Sequence, residues 1–246
     1  MTRRTRRRVY VVVLAALIGA GSPIWAPPLL QTLPAFRVEK VEVVGTRFLA
    51  PDEVAARADV PPGASVWDEP ERWRRRVEGH PLVERARVRR AGFHTLEIAV
   101  EEVEPMALAA TTGTLRPISE EGALLPLDPA RHGLDLPVLL LDSASADGER
   151  LRGGDAGTLV GALSRLSEEE PGFVGKISSL RILADGGIEV RMVESTHART
   201  VLLPPADPAR ALRRVELALG EQEGAVEKAD ARFRDQVVLE RAGGDR

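Results

Sequence analysis

Histidines, one pair of glutamates and one glycine-rich segment are the groups in this sequence that could take part in catalysis or ligand binding. No two histidines have the spacing of metal ligands on one helix or strand; they are His80, His94, His132 and His197. Glu101 and Glu102 could form a hydrolytic carboxylate pair, but they fall at a predicted strand end, where acidic residues commonly only face solvent. Gly153, Gly154 and Gly157 predict a loop before a helix.

Cysteine and the common catalytic motifs are absent from the sequence. Without cysteine, neither a disulfide nor a thiolate metal site can form. There is no Gly-x-Ser-x-Gly turn, phosphate-binding loop or dinucleotide fingerprint. We therefore expect no catalytic residue, no metal ion, no cofactor and no small-molecule substrate. A secreted hydrolase on a mixed α/β frame stays an alternative.

The first 30 residues have the composition of a membrane anchor. Five arginines lie in the tip, residues 1–8, and the run from Val9 to Leu30 contains no charged residue. A helix needs about 20 apolar residues to cross a bilayer core. By the positive-inside rule, the tip should stay in the cytoplasm and the chain after the anchor, residues 9–30, should be exported. The sequence therefore predicts a single-pass protein of the cytoplasmic (inner) membrane.

A cleaved secretory signal is the alternative interpretation of the same residues, because such signals also begin with basic residues and an apolar core. The obvious small-residue cleavage site, Ala20 and Ser22, would place Pro23 just after the cut. Pro23 and the prolines that follow are expected to end the helix near the outer interface, where Trp25 could anchor it. This pattern favours an uncleaved anchor.

Charge limits the class of partner. The chain has 34 basic and 37 acidic residues, and five of the basic ones precede the anchor. The exported part is therefore acidic, whereas a nucleic-acid-binding surface needs an excess of positive charge. We exclude nucleic acid as the partner.

Residues 36–105 alternate between short strands and helices. The pattern predicts a strand through Val41 and Val43, a helix that begins at Pro51 and a second helix that begins near Glu69. Two further strands should form an antiparallel hairpin with one buried face, and their outward arginines and glutamates should pair across the strands. The predicted core comprises Val41, Val43, Val54, Trp73, Val77, Val83, Val88, Leu96, Ile98 and Val100.

This β-α-α-β-β order resembles the polypeptide-transport-associated (POTRA) domain in the form found in the FtsQ/DivIB family of bacterial cell-division proteins. The resemblance is carried by the stretch from His80 to Ala110, at Pro81, Val83, Ala86, Val88, Leu96, Ile98, Val100, Pro105 and Ala107. The usual Arg-Trp-Pro at the hairpin turn is replaced by Arg90, Ala91, Gly92 and Phe93.

Residues 106–240 predict a second mixed α/β domain with a mostly antiparallel sheet, followed by a flexible tail at 241–246. Its expected strands are Ala107–Thr111, Leu115–Ser119, Ala123–Leu127, Pro137–Asp142, Ile177–Leu183, Ile188–Val193 and Thr200–Leu203. One helix should start at an Asp155 cap and stop at Pro171. A last helix should be capped by Asp207, with Pro208 at its first position.

The end of this domain predicts a strand at the edge of the sheet. Alternation should place Val226, Lys228 and Asp230 on one side, and an apolar run follows at Val237–Leu239. The resemblance to the FtsQ family reappears here, in Asp230, Arg232, Phe233, Asp235, Gln236, Val237 and Val238, with Ala231 in place of the customary leucine.

The resemblance implies a non-enzymatic scaffold of the division machinery, located at the septum. Its implied partners are other division membrane proteins, chiefly small coiled-coil proteins of the FtsB and FtsL type. We expect them to bind the terminal strand by β-augmentation, through Asp230, Arg232, Phe233, Val237, Val238 and Leu239. The alternative is a POTRA-bearing accessory scaffold of another envelope secretion or assembly system.

Overall fold

The computed structural model describes residues 28–111, 114–141, 145–147, 150–193, 198–220 and 226–241. The basic tip and residues 9–27 of the predicted anchor lie outside this part of the chain, as do residues 242–246 of the predicted tail. Among the described residues, no helix has the length and apolar character needed to cross a membrane. The chain divides into two compact units, Met1–Val103 and Glu104–Arg246.

The first unit has the predicted β-α-α-β-β order. Its elements are β1 (Lys40–Val44), α1 (Pro51–Ala58), α2 (Glu71–Glu78), β2 (Val83–Arg90) and β3 (Thr95–Glu102). The three strands form one sheet in the order β1-β3-β2, with β1 parallel and β2 antiparallel to the central β3. The fold is therefore the mixed α/β arrangement expected for a POTRA domain.

Local sequence explains both helices of this unit. Pro51 occupies the first position of α1, Asp52 and Glu53 lie in its first turn, and the helix ends at Asp59 in a left-handed conformation. On α2, Trp73 and Val77 are four residues apart and both are fully buried. These apolar faces cover one side of the sheet.

The outer face of the β2–β3 hairpin is paired as predicted. Arg85 lies opposite Glu101, with Nη1 3.2 Å from Oε2, and Arg89 lies opposite Glu97, with Nε 2.6 Å from Oε1. Between these two ion pairs, Arg87 faces Ala99. All of these side chains are on the solvent side because side-chain direction alternates along a strand.

The core of the first unit differs from the prediction at its margins. Val41 and Val43 are only half-buried because β1 is an edge strand, and Val88 is also half-buried. Apolar residues from loops and turns complete the core instead; they are Leu49, Ala64, Val66 and Leu82. Because no periodic pattern marks these positions, the sequence did not predict them.

His80, at the turn between α2 and β2, is an almost buried titratable group. Its side chain is 13% exposed, and its Nδ1 accepts a hydrogen bond from the backbone N–H of Leu82 at 3.1 Å. Burial lowers the pKa of His80, and the positive charge of Arg57 lowers that pKa further, against the opposing effect of Glu53 and Glu102. The folded first unit therefore favours neutral His80.

We expect this histidine to make the first unit less stable in mild acid. Because its folded pKa is below the unfolded value of about 6.5, the unfolded chain binds more protons as pH falls through that range, and stability falls until the folded pKa is reached. Urea unfolding from about pH 7.5 to 5 measures the effect. His80→Asn keeps an acceptor for Leu82 and removes the titration. An unchanged pH dependence in that variant would contradict the assignment.

The second unit is built on an eight-stranded sheet. The strands of this unit are β4 (Ala107–Thr111), β5 (Thr114–Ile118), β6 (Val138–Leu140), β7 (Ser145–Asp147), β8 (Arg150–Arg152), β9 (Ile177–Ile182), β10 (Ile188–Met192), β11 (Ala198–Leu203), β12 (Val226–Asp230) and β13 (Val238–Arg241). The order in the large sheet is β13-β12-β11-β10-β9-β6-β4-β5, and β7 and β8 form a separate pair. The pairs β4–β6, β6–β9 and β11–β12 are parallel and the other four are antiparallel, so the sheet is mixed.

Helices α3 (Gly154–Glu169), α4 (Pro171–Val174) and α5 (Pro208–Gly220) complete this unit. The predicted stripe on α3, Leu159, Leu163 and Leu166, is fully buried. Helix α3 packs against α5 and β9, and α5 packs against β11. As predicted, Asp207 caps α5, because its carboxylate accepts the backbone N–H of Arg210 at 3.2 Å.

Two predicted features of the second unit, the strand at 123–127 and the Asp155 cap, are wrong. Residues 123–127 make isolated bridges rather than a strand, because Pro126 has no N–H with which to continue a ladder. Asp155 lies in the first turn of α3 rather than at its cap, which is Gly153. Helix α3 ends at Glu169, before Pro171 as predicted, and Pro171 begins the short helix α4, where proline suits the first position.

Candidate partner-binding site

The candidate site is the sheet edge at β13. This strand pairs antiparallel with β12, placing Leu239 opposite Ala229 and Val238 opposite Asp230. On its other side, β13 has no neighbouring strand among the described residues. Alternate backbone N–H and C=O groups of an edge strand point away from its neighbour and stay available to another chain.

The predicted apolar residues of this edge divide between two faces. Val237 and Leu239 are half-buried and pack against the core of the second unit. Val238 is 50% exposed on the opposite face, and Phe233, in the turn before β13, is 46% exposed. Exposed apolar side chains beside an open edge are the features that strand addition requires.

A bulge changes the predicted alternation in β12. The register with β13 shifts between Val226 and Lys228. As a result, Val226 and Ala229 are buried, whereas Lys228 and Asp230 are half-buried. The prediction that Val226, Lys228 and Asp230 share one side is therefore wrong, because one extra residue in a strand reverses the direction of the side chains that follow.

Arg232 is engaged by two carboxylates within the second unit. Its Nε lies 2.9 Å from Asp230 Oδ1 and its Nη2 lies 2.6 Å from Asp230 Oδ2, while Nη1 contacts Asp185. Hydrogen bonding to Arg232 lowers the pKa of Asp230. The pKa of Asp185 is lowered first by the Gly187 N–H and then by Arg232. The sequence prediction of Arg232 as a donor to a partner did not anticipate these two acceptors.

Gly187 allows Arg232 to reach Asp185. A Cβ at this position would lie 2.7 Å from Arg232 Cδ, a distance that side-chain atoms cannot tolerate. The tight turn between β9 and β10 therefore gives the arginine side chain room to pass. The result is an ionic link between that turn and the segment that leads to β13.

Arg214, on α5, holds the turn at residues 231–234, and the sequence analysis missed it. Its Nη1 donates to the carbonyl oxygen of Phe233 at 2.8 Å and also to that of Arg234, and its Nη2 donates to that of Ala231 at 3.1 Å. The Arg214 Nε is buried without an acceptor among the described residues. No sequence signal marks this arginine, because its acceptors are backbone atoms about 20 positions away in sequence.

The residues first considered for catalysis lie elsewhere. Glu101 pairs with Arg85, whereas Glu102 accepts the backbone N–H groups of Phe48 and Leu49 at 2.7 and 3.0 Å. The two carboxylates therefore face opposite sides of β3. Over the described ranges, no cluster of histidine and acidic side chains could hold a metal ion. His197 lies outside those ranges.

Comparisons with known proteins agree on one family. The family model "POTRA domain, FtsQ-type" matches residues 36–102. The cell division protein FtsQ of Rhodothermus marinus is 30% identical over 218 residues, which cover 84% of this chain and 78% of that protein. FtsQ of Streptomyces collinus is 29% identical over 223 residues, which cover 87% of this chain and 81% of that protein.

A solved structure is also similar to part of the chain. It is the major extracytoplasmic domain of the bacterial cell division protein DivIB from Geobacillus stearothermophilus, at 18% sequence identity and a TM-score of 0.32, covering 50% of this chain and 98% of that one. The family assignment depends on the sequence relatives and on the match to the POTRA domain. Because FtsQ of Rhodothermus marinus is 30% identical over 84% of this chain and the FtsQ-type POTRA model matches residues 36–102, the protein belongs to the FtsQ family of cell division proteins.

Proposed function

We propose that the protein is a bitopic scaffold of the division machinery in the cytoplasmic membrane, with residues 1–8 inside and the two units exported. It performs no chemistry of its own. It supports septum formation by connecting division proteins on the two sides of the membrane. The family and the arginine-rich sequence before an uncharged run support this topology.

The partners that fit this scaffold are small coiled-coil membrane proteins of the FtsB and FtsL type. We place their contact on the edge of β13 and on the turn that precedes it. The observation that carries the proposal is the open backbone edge with Phe233 and Val238 exposed beside it. Main-chain hydrogen bonds would supply affinity, and the two apolar side chains would select the partner.

Phe233 serves as the aromatic anchor in this arrangement, since aromatic residues are enriched at the centres of interfaces and a few side chains carry most of the binding energy. Arg232 does not simply donate hydrogen bonds to a carboxylate of the partner. Its guanidinium already bonds Asp230 and Asp185, so its first contribution is to fix the segment from which Phe233 projects. Asp230, Val237 and Leu239 likewise shape the edge from within the second unit.

Two substitutions test the docking edge. Phe233→Ala should weaken the affinity for an FtsB/FtsL-type partner about 30-fold, because truncating an anchor residue at an interface costs about 2 kcal/mol. Val238→Pro should prevent strand addition, because its ring removes the N–H that pairs β13 with β12 opposite Asp230 and distorts the docking edge. Both variants should keep a cooperative thermal melt.

Matched controls separate docking from general surface effects. Phe93→Ala removes an aromatic ring that is 72% exposed in the other unit and should leave partner binding unchanged. Val238→Thr keeps the branched shape and the backbone N–H and should bind nearly as well as the wild type. Full binding by folded Phe233→Ala and Val238→Pro variants would exclude β13 as the docking site.

A further inference from the structure

Three aromatic residues gather at one end of the first unit. The ring of Phe36 meets Trp67 edge-on at 6.0 Å, and its centroid lies 6.0 Å from that of Phe93. The whole chain has only five phenylalanines, three tryptophans and one tyrosine, so this cluster takes a third of its aromatic residues. Phe93 is 72% exposed, more than a ring that serves only the core would be.

The segment that follows the predicted anchor is fastened to this aromatic cluster. Gln31 Nε2 donates to the carbonyl oxygen of Trp67 at 2.9 Å, and Val66 N donates to the carbonyl oxygen of Phe36 at 2.8 Å. Leu29, near the end of the predicted anchor, and Leu33, just after it, are 55% and 41% exposed. Phe36 is six positions after Leu30, so it lies within about 20 Å of the end of the predicted anchor.

Two arginines accompany the rings. The guanidinium of Arg90 lies 3.6 Å from the centroid of the Trp67 ring, and Arg37 follows Phe36 directly. Neither side chain has a carboxylate partner among the described residues. The nearby acid Asp68 is already engaged, since it accepts the Ser65 N–H at 2.9 Å. A groove of about 530 Å³ with Trp67, Arg90 and Glu69 among its lining residues runs beside the rings.

We propose that this end of the first unit docks on the outer surface of the membrane, with Phe93, Leu29 and Leu33 entering the interfacial layer and Arg90 and Arg37 meeting lipid phosphates. The proposal depends on the membrane anchoring given above as part of the proposed function. Aromatic rings beside arginines suit the headgroup region because the rings have an apolar body and the guanidinium binds phosphate.

The membrane fits this patch better than a protein partner does. The proposed anchor keeps the patch next to the bilayer at all times. Lipid is therefore always within reach, whereas a protein partner would first have to diffuse to the patch. The exposed side chains come from two places: the segment 29–33, which Gln31 ties to Trp67, and Phe93, whose ring contacts Phe36. They do not lie along one strand edge. Insertion of side chains by about 5–10 Å is the depth typical of interfacial contacts.

A cysteine-based depth measurement on the full-length protein tests the proposal. Because the chain has no cysteine, Ala91→Cys gives a single labelling site next to Phe93. Ala50→Cys, also exposed but beyond the opposite end of β1, is the matched reference. Each protein is labelled with a small fluorophore and reconstituted into phosphatidylcholine–phosphatidylglycerol vesicles whose acyl chains carry bromine near the headgroup. We expect bromine to quench the label at position 91 and to leave the label at position 50 bright.

Second substitutions show which side chain causes the contact. Phe93→Ser in the Ala91→Cys protein should abolish most of the quenching, whereas Leu217→Ser, which removes an equally exposed apolar side chain of the other unit, should not change it. Trp fluorescence melts show that each variant is folded. Quenching that persists without Phe93, or that is equal at positions 91 and 50, overturns the proposal.

Flotation and protease digestion distinguish this inference from the proposed anchoring. If the protein floats with the vesicles and its exported part is digested from outside, yet the label at position 91 stays bright, anchoring holds and membrane docking is wrong. If the label stays bright in vesicles but crosslinks to a protein in cells, the patch binds a protein instead. If the protein does not float, both the anchoring and the docking are wrong.

Discussion

Replacing Ile98 with aspartate should unfold the first unit. Ile98 is fully buried at the centre of the three-stranded sheet, and among the described residues of this unit no buried side chain is basic and able to pair with a new carboxylate. Burying an unpaired charge costs several kcal/mol, on the order of the whole stability of a small domain. A unit of this size has a small core, and its free energy of unfolding is too low to compensate for such a cost.

Tryptophan emission measures this effect in the first unit alone. In a fragment of residues 36–246, the tryptophans are Trp67 and Trp73, and both belong to that unit. Urea unfolding followed by emission should show no folded baseline for Ile98→Asp. Ala99→Asp is the matched control, because it places the same carboxylate one position along, on the outer face opposite Arg87. A wild-type midpoint for Ile98→Asp would contradict the assignment of this face to the core.

Replacing Gly45 with alanine should be the second most damaging change. Gly45 follows β1 with φ +86°, and a Cβ at this position would overlap the carbonyl oxygen of Val100 on β3. The left-handed conformation alone costs about 1–2 kcal/mol for an alanine. The overlap adds a further cost, because the obstacle is backbone in the middle of a sheet and cannot rotate away.

Gly63→Ala separates the two contributions. Gly63 has the same φ of +86°, but a Cβ there would meet nothing within 4 Å. In Gly63→Ala, the free energy of unfolding measured in urea should fall by the conformational cost only. The additional loss of unfolding free energy in Gly45→Ala then measures the cost of the overlap. Equal losses in the two variants would show that β1 can move away from β3 at little cost.

Local sequence pattern was sufficient to predict the order of strands and helices in the first unit. Alternation of apolar and polar residues in β2 and β3 predicted the antiparallel pairing of the two strands. It also predicted that Arg85 and Arg89 lie opposite glutamates. Helix signals at Pro51 and Asp207 were equally local, since a cap or a first-turn proline acts on the next few residues. Such features depend on neighbours in the sequence, so a single chain displays them.

Long-range contacts were not predictable in the same way. The bonds of Arg214 to the turn at 231–234 and of Arg232 to Asp185 join residues far apart in sequence. The three parallel pairings of the large sheet also depend on tertiary packing. One error was local. The apolar residues at 123–127 predicted a strand, but Pro126 has no N–H and cannot continue a ladder.

The position of Arg214 has a consequence for the thermodynamics of association. Fixing the backbone of one residue costs about 1–2 kcal/mol in conformational entropy. Because Arg214 bonds the carbonyl groups around Phe233 within the folded unit, this entropy is already lost before any partner arrives. The proposed docking edge is therefore preorganised, and most of the ordering penalty on binding would fall on the partner's segment.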